Sequence, residues 1–528
     1  MRLSIRQLFF IILFIMLFLM TLRPVADPDF WWHLRTGQLM VETHTIPHAD
    51  PFSFTNAGKP WIAHEWLSEI FMWGLYRLGS YSLLIFVFST IITGAFLLAY
   101  LRSPLETRPY VAGFALLLGA IATAPTWGVR PQMISLLITS LFLYLLDRYQ
   151  QEGKLKFVLP LPLITLIWVN LHAGYFLGLA IVGIYIVGGL IDLLKAELIK
   201  TERADAPTLR SILILSSVLG ACVLATLANP NGIHILLYPF QTLTSQSMQQ
   251  FIQEWFSPDF HQMEWQPLAW WILALIGAGM LARKSISPTK ILLTLVFGYA
   301  ALRSMRHVPL FAIISIPVLA EQVGSLVRIR SEVHTPSRLL RWIVPVLLVL
   351  LVLVTGLRFA QVVRGQSKTE AEAFPNAAVD WILANKPEGN LYNSYGWGGY
   401  LIWRLYPEYH VYIDGRADVY GDKFIFDFMS TYRGEPGWEN KLDDHEVETI
   451  LIEPRSPLAN VLRQSPSWRI AFEDQTAIIF TRQYYRTGSL GMPGQKPYRS
   501  ANLHRFSLIH SYSRRLADID LNRANIVQ

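Results

Sequence analysis

The sequence predicts a polytopic α-helical membrane protein that carries a C-terminal α/β domain. Three observations predict it. Of 528 residues, 52% are hydrophobic and only 16% are charged, whereas a soluble globular chain carries about a quarter charged residues. Apolar runs long enough to cross a bilayer, or nearly so, recur along residues 1–360. That pattern then stops, and short strand-like runs alternate with helix-like ones up to residue 482.

The runs fall at about 7–22, 81–101, 110–126, 132–147, 157–170, 174–194, 211–228, 268–282, 289–302, 307–323 and 340–359. They predict about eleven transmembrane helices. The first is expected to stay uncleaved, because Arg23 and Pro24 stand where a signal peptide would have small residues. A long loop, about 23–79, follows it. With the N-terminus (Arg2, Arg6) inside, the inside loops hold Arg102 and Arg108; Arg148, Lys154 and Lys156; Lys195, Lys200, Arg203 and Arg210; Arg283, Lys284 and Lys290; and Arg328, Arg330, Arg338 and Arg341. This is a positive-inside pattern. An odd helix count then places residues beyond 360 outside. The expected organisation is a transmembrane domain at 1–360, an extracytoplasmic α/β domain at 365–483, and a polar basic tail at 484–528. The expected location is the cytoplasmic (inner) membrane.

The net charge of +7 is concentrated in those loops, where it sets orientation, so nucleic acid is not an expected partner. The single cysteine, Cys222, excludes an intrachain disulfide and speaks against a cysteine metal site. In 365–483, "NLYNSYGWGGYLIWRL", "HVYIDGRADVYG", "VETILIEP", "WRIAFED" and "TAIIFTR" are strand-like, and 375–386 and 456–464 are helix-like.

The conspicuous polar residues all fall on the predicted outer face. "DPDFWWHLR" supplies Asp27, Asp29, His33 and Arg35, and His64, Glu65 and Glu69 precede the second span. Arg130 separates spans three and four; Asn170 and His172 separate five and six. Asn229, Asn231, His234, Glu254, Asp259 and His261 follow span seven, and Arg303, Arg306 and His307 lie before span ten. Each has a plain alternative. Outer arginines anchor to lipid headgroups, a lone histidine is usually packed, and Asp27 or Asp29 could cap a helix over "FWWHLRTGQLMVE". Together they point to one polar pocket, because ionisable groups at membrane depth are costly and usually line a cavity.

Such a pocket suits sugar transfer from a lipid phosphate. Guanidinium groups fork onto phosphate oxygens: Arg130, Arg303, Arg306 and His307 are the candidates. A carboxylate accepts the proton of an incoming hydroxyl: Asp29 or Asp27, assisted by His33, His64 and Glu65. Aromatics stack on sugar faces. Arg35, Asn170, His172, Asn229, Asn231 and Glu254 are further expected pocket residues. A second cluster, Tyr392, Asn393, Tyr395, Trp397, Tyr400, Asp414, Arg416 and Asp418, reads either as a sugar-contacting loop or as a glycine-rich turn with an ion-paired strand end.

One span, a long acidic outer loop, many spans and an outer C-terminal domain resemble the GT-C superfamily of membrane glycosyltransferases. "DFWWHLR" is similar to a motif of the oligosaccharyltransferase catalytic subunit, and on that likeness Asp29 contributes to a metal and acceptor site. The whole loop also resembles that of the protein mannosyltransferase and aminoarabinose transferase families, with a turn at Ile46-Pro47 and Asp27 as the catalytic acid. Phrases such as "HEWL", "RHVPLF" and "IDGRADVYG" resemble bacterial glycosyltransferase-like membrane proteins along nearly the whole chain. The resemblance implies inverting transfer from a polyprenyl-phosphate sugar donor to an envelope lipid, glycan or protein, with a divalent metal (Mg or Mn) as a candidate cofactor. The Trp-Trp-Asp peptide-reading motif is absent, which speaks against peptide N-glycosylation. The rival readings are a lipid-carrier transporter module and a non-catalytic envelope assembly protein.

Overall fold

The computed structural model describes residues 5–104, 109–199, 208–282, 284–326 and 338–483. The predicted tail at 484–528 and several basic loop residues, Arg108, Lys200, Arg203, Arg283, Arg328 and Arg330 among them, lie outside the described residues.

Every predicted apolar run is helical. In chain order the helices are α1 (Ile5–Thr21), α2 (Phe30–Thr43), α3 (Trp66–Leu101), α4 (Pro109–Thr123), α5 (Pro131–Glu152), α6 (Leu161–Leu171), α7 (Tyr175–Ile199), α8 (Leu209–Thr226), α9 (His234–Thr244), α10 (Gln246–Phe251), α11 (Gln266–Leu281), α12 (Pro288–Arg303), α13 (Val308–Leu326) and α14 (Arg338–Ala373). Among the described residues, six helices are long and apolar enough to cross a membrane by length and composition. Their packing follows a bilayer's logic, in which apolar side chains need no protein cover. Helix α13 is enclosed by its neighbours, whereas α14 exposes Val346, Leu350, Leu353 and Leu357.

Two boundaries differ from expectation. Helix α14 does not end near 360 but continues to Ala373, because Gln361, Arg364, Gln366, Lys368 and Glu370 are all good helix formers. Its extension reaches the first loop, where Gln366 donates to the Val25 carbonyl and accepts from the Val25 amide, both at 2.8 Å. Helix α3 starts well before the predicted span at 81 and is broken at Gly79 and Ser80 (φ 51°). The segment before the break belongs to the loop.

The C-terminal unit holds α15 (Asn376–Asn385), β1 (Asn390–Asn393), α16 (Gly398–Leu405), α17 (Ala417–Tyr432), α18 (Trp438–Asp444), β2 (Val447–Ile452), α19 (Pro457–Leu462), β3 (Trp468–Glu473) and β4 (Ile478–Arg482). The sheet order is β1-β2-β4-β3. β1 pairs parallel with β2, and β4 is antiparallel to both β2 and β3. The sheet does not end at β1. Val411 bridges Leu391, and Ser53 of the first loop bridges Val411 in turn. Phe54 donates to the Val411 carbonyl at 3.2 Å, and Val411 donates to that of Phe52 at 3.1 Å. The first loop is thus stitched onto the sheet edge, which removes an open edge.

Candidate active site

Segments far apart in sequence meet around one cavity of about 560 Å³. Its wall includes Asp27, Asp29 and His33; His64, Glu65 and Glu69; Arg130; His172; Tyr238; Glu254 and Trp255; Arg306 and His307; and, from the C-terminal unit, Tyr395, Gly396, Gly399, Gly415, Arg416 and Asp418.

Local sequence explains several placements. Pro131 opens α5, where a missing N–H costs nothing, so Arg130 is held extended at the helix start. Asp29 stands at the start of α2, but its side chain makes no cap bond. Instead Asp27 Oδ1 accepts from the Asp29 amide at 2.9 Å. Asp29 Oδ1 accepts from Trp32 Nε1 at 3.1 Å. The approach of the C-terminal unit is close enough to need glycine: a Cβ on Gly415 would fall on Asp29 Oδ1, and one on Gly399 would lie 2.5 Å from the Pro28 carbonyl.

Arg130 is gripped by acids. Its Nε is 2.6 Å from Asp27 Oδ2 and its Nη2 is 4.0 Å from Asp29 Oδ2, while Nη1 pairs with Glu254. Burial works against that guanidinium, but Asp27, Glu254 and Asp29 outweigh it and raise its pKa. Burial raises the Asp27 carboxyl, against the pull of Arg130. Burial, with Asp27 second, pushes Asp29 up to about 7. Glu254 is lowered: burial opposes its charge, and Arg130 and Arg306 overcome that.

The second group centres on Glu65. His33 Nδ1 lies 3.3 Å from Glu65 Oε2 and 3.2 Å from Glu69 Oε1. Glu65 Oε1 is approached by His64 Nε2 at 3.4 Å and His172 Nε2 at 3.2 Å. The Gly174 amide donates to His172 Nδ1 at 2.8 Å, which leaves the proton of the neutral ring on Nε2, facing Glu65. Burial lowers His33 to about 4 and His172 to about 3. Burial also opposes charge on His64, but Glu65 and Asp418 prevail and raise it. Burial opposes charge on Glu65 as well, but His33, His64 and His172 outweigh it and lower the carboxyl.

Not every expected residue reaches the cavity. Arg303 is exposed and donates to Gln249 Oε1 at 2.8 Å. Arg35 donates to the Tyr406 carbonyl at 2.9 Å and lies over that ring, holding the C-terminal unit. Asn170, Asn229 and Asn231 tie helix ends together. Asn229 donates to the Val169 carbonyl at 3.0 Å and to Asn170 Oδ1 at 3.2 Å, and accepts from Asn231 at 2.9 Å. His234, Asp259 and His261 lie away from the cavity, and His261 is fully exposed. Arg306 does line it, lies 4.6 Å over the Trp255 ring, and makes no direct salt bridge among the described residues, although its charge acts on Glu254.

The "IDGRADVYG" turn resolves in favour of an ion-paired strand end. Asp414 accepts from Arg416 Nε at 2.8 Å and Nη2 at 2.7 Å, and Asp50 of the first loop lies 2.8 Å from Nη2. Asp418, by contrast, faces the cavity, where burial raises its carboxyl against the pull of His64 and Arg416.

A metal at Asp29 does not fit this arrangement. The place a cation would take between Asp27, Asp29 and Glu254 is filled by the Arg130 guanidinium. The described residues that offer a metal-like cluster are His33, Glu65 and Glu69.

No protein-family model and no curated protein sequence matches the chain. Among solved structures, the archaeal oligosaccharyltransferase AglB from Archaeoglobus fulgidus, in complex with an inhibitory peptide and a dolichol-phosphate, aligns with a TM-score of 0.50 at 12% identity, over 84% of this chain and 69% of that one. ArnT from Cupriavidus metallidurans in the apo state aligns at 0.49 and 14% identity, over 88% and 95% of the two chains. Bound to undecaprenyl phosphate it aligns at 0.46 and 13%, over 90% and 98%. The likeness to AglB shows a shared fold: this is a multi-pass helical membrane architecture, which here carries a small C-terminal sheet.

Proposed function

We propose that the chain is a membrane glycosyltransferase that moves a sugar from a polyprenyl-phosphate donor to a hydroxyl acceptor, with its cavity on the extracytoplasmic side of the inner membrane. The observation that carries this reading is the meeting in one cavity of Asp29, at a pKa of about 7, with Arg306, which makes no direct salt bridge among the described residues. A base with a pKa near the working pH is the efficient one, and a guanidinium whose nitrogens are not tied up in a direct salt bridge is the available phosphate ligand. The dolichol-phosphate in the AglB structure supports a lipid-phosphate donor.

In this reading Arg306 and His307 hold the donor phosphate. The apolar wall formed by Leu136, Phe176, Leu177 and Leu310 receives the lipid. The acceptor oxygen attacks the anomeric carbon as the bond from that carbon to the phosphate oxygen breaks. The acceptor proton passes to Asp29, and polyprenyl phosphate leaves with the electron pair. Arg130 pairs with Asp27 and Glu254 beside the base. The orientation follows from the basic loops at the opposite helix ends.

The test is transfer by the purified chain from a panel of polyprenyl-phosphate sugars in lipid nanodiscs. Asp29→Asn should keep the fold and lose about a hundred- to ten-thousandfold in rate. Parent-rate transfer by that variant, or no turnover of any donor by the parent, would leave a binding or assembly role as the better account.

A further inference from the structure

We propose that His33, Glu65 and Glu69 form a site for a divalent transition-metal ion of zinc or manganese type, separate from the Asp27–Asp29–Arg130 cluster. This goes beyond the transferase reading and does not depend on it.

The site is built by helix packing. Glu65 stands at the start of α3 without making a side-chain cap bond, and Glu69 lies four residues on, on the same face. His33 lies in the first turn of α2. The two helices approach so closely at Gly37 that a Cβ there would fall on the Glu69 carbonyl. The three side chains are nearly sealed, with exposures of 3%, 5% and 1%. One ligand atom from each lies within 4.8 Å of the others. The His33 nitrogen is 3.2 and 3.3 Å from the two carboxylate oxygens. Ligands about 2.0–2.2 Å from a shared ion lie roughly 3.0–3.5 Å apart in octahedral or tetrahedral geometry.

A second observation points to a missing partner. Glu69 Oε2 is buried and has no hydrogen-bond partner. A buried carboxylate oxygen needs one, and among the described residues no arginine or lysine comes within salt-bridge distance of Glu69. Arg130 serves Asp27, Asp29 and Glu254, and Arg416 pairs with Asp414 and Asp50, its Nη1 making no hydrogen bond. His64 and His172 bond the other face of Glu65, the outer-shell contact that orients a metal-ligating carboxylate. One imidazole with two carboxylates favours zinc or manganese over calcium or magnesium, whose preferred ligands are all oxygen. Three protein ligands on a cavity wall leave a coordination position facing that cavity.

The experiment is metal analysis of the intact purified chain, with no sugar donor present. The protein is stripped with chelator, then titrated with Zn²⁺, Mn²⁺ and Co²⁺ and read by bound metal per chain and by the visible ligand-field bands of Co²⁺. We expect about one ion per chain. Glu69→Gln and His33→Gln should each weaken it by at least about tenfold, and Asp29→Asn should retain it. Absence of a saturable ion in the parent would overturn the proposal. So would loss of the ion in Asp29→Asn with retention in Glu69→Gln. If the trio variants are not monodisperse, the parent Co²⁺ spectrum and the Asp29→Asn titration decide alone. Because metal content is measured without turnover, failure here leaves the transferase reading standing, and the converse also holds.

Discussion

Arg130 and Arg416 are both gripped by acids from more than one segment, yet their surroundings differ. The Arg416 side chain is 1% exposed and its partners Asp50 and Asp414 are wholly buried. Its ring contacts, Trp61 at 4.6 Å and Phe52 at 5.1 Å, complete a sealed joint between the first loop and the C-terminal unit. The Arg130 side chain is 16% exposed, and Asp29 and Glu254 are each about a third exposed on the cavity wall. The same residue types therefore serve two ends. Sealed from solvent, with each aspartate bonded to the guanidinium, they make architecture; open on one side and with acids in excess, they leave a carboxylate whose proton affinity suits chemistry.

The largest expected effect breaks the sealed joint. Asp414→Ala removes the acceptor of Arg416 Nε and Nη2 and of Tyr420 Oη at 2.6 Å. It leaves a guanidinium buried with only Asp50. Removing one partner of a buried pair costs about 3–5 kcal/mol. Thermal unfolding in detergent should show a large fall in Tm for Asp414→Ala and almost none for Asp29→Asn. Equal falls would mean that the two clusters are both structural.

A smaller effect sharpens the open cluster. A base works only when ionised, and Asp29 is raised from its ordinary value of 3.8 to about 7. Transfer should therefore fall about tenfold per pH unit below 7 and level off above it. Burial is the main cause of that shift and Asp27 the second. Asp27→Asn should move the break to lower pH, because a like charge no longer opposes ionisation. A profile of kcat/KM against pH that is flat from 5 to 8 would remove Asp29 as the base.

Much of this was legible in the sequence. The apolar runs state the helices directly, since lipid imposes a near-uniform demand on about 20 residues. The acidic loop was legible too, as charge placed where charge is costly. What sequence could not state was which polar residues pair with one another. Asp50 and Arg416 are brought together only by the Ser53–Val411 bridge. Glu69 stood in the sequence only as one of the polar residues ahead of the second span. Its partnership with His33 depends on the close α2–α3 approach at Gly37, and a small residue within a helix was the one available signal. Asn170, Asn229 and Asn231 misled in the other direction. Their amides satisfy each other and a backbone carbonyl behind the cavity wall, as asparagines near helix ends commonly do.

The smallest contrast lies within one turn. Arg303 and Arg306 were equal candidates for phosphate, three residues apart. Arg303 ends α12 in the open with Gln249 as partner, so Arg303→Ala should change transfer by no more than about 0.5 kcal/mol, roughly twofold. Arg306 lies over Trp255 on the cavity wall. Losing a hydrogen bond to a charged group costs about 1.5–3 kcal/mol, so Arg306→Ala should lose roughly ten- to a hundredfold in kcat/KM. Lysine separates the phosphate role from a packing role. It keeps the charge and the aliphatic stem but not the planar fork or the stacking on Trp255. Arg306→Lys should thus stay close to Arg306→Ala, with the loss carried mainly by KM for the donor. The steady-state kinetics of these three variants, run side by side, decide the matter. Should Arg303→Ala be the crippled one and Arg306→Lys run at the parent rate, the phosphate lies outside the cavity, and Arg306 is only a cation resting on an indole.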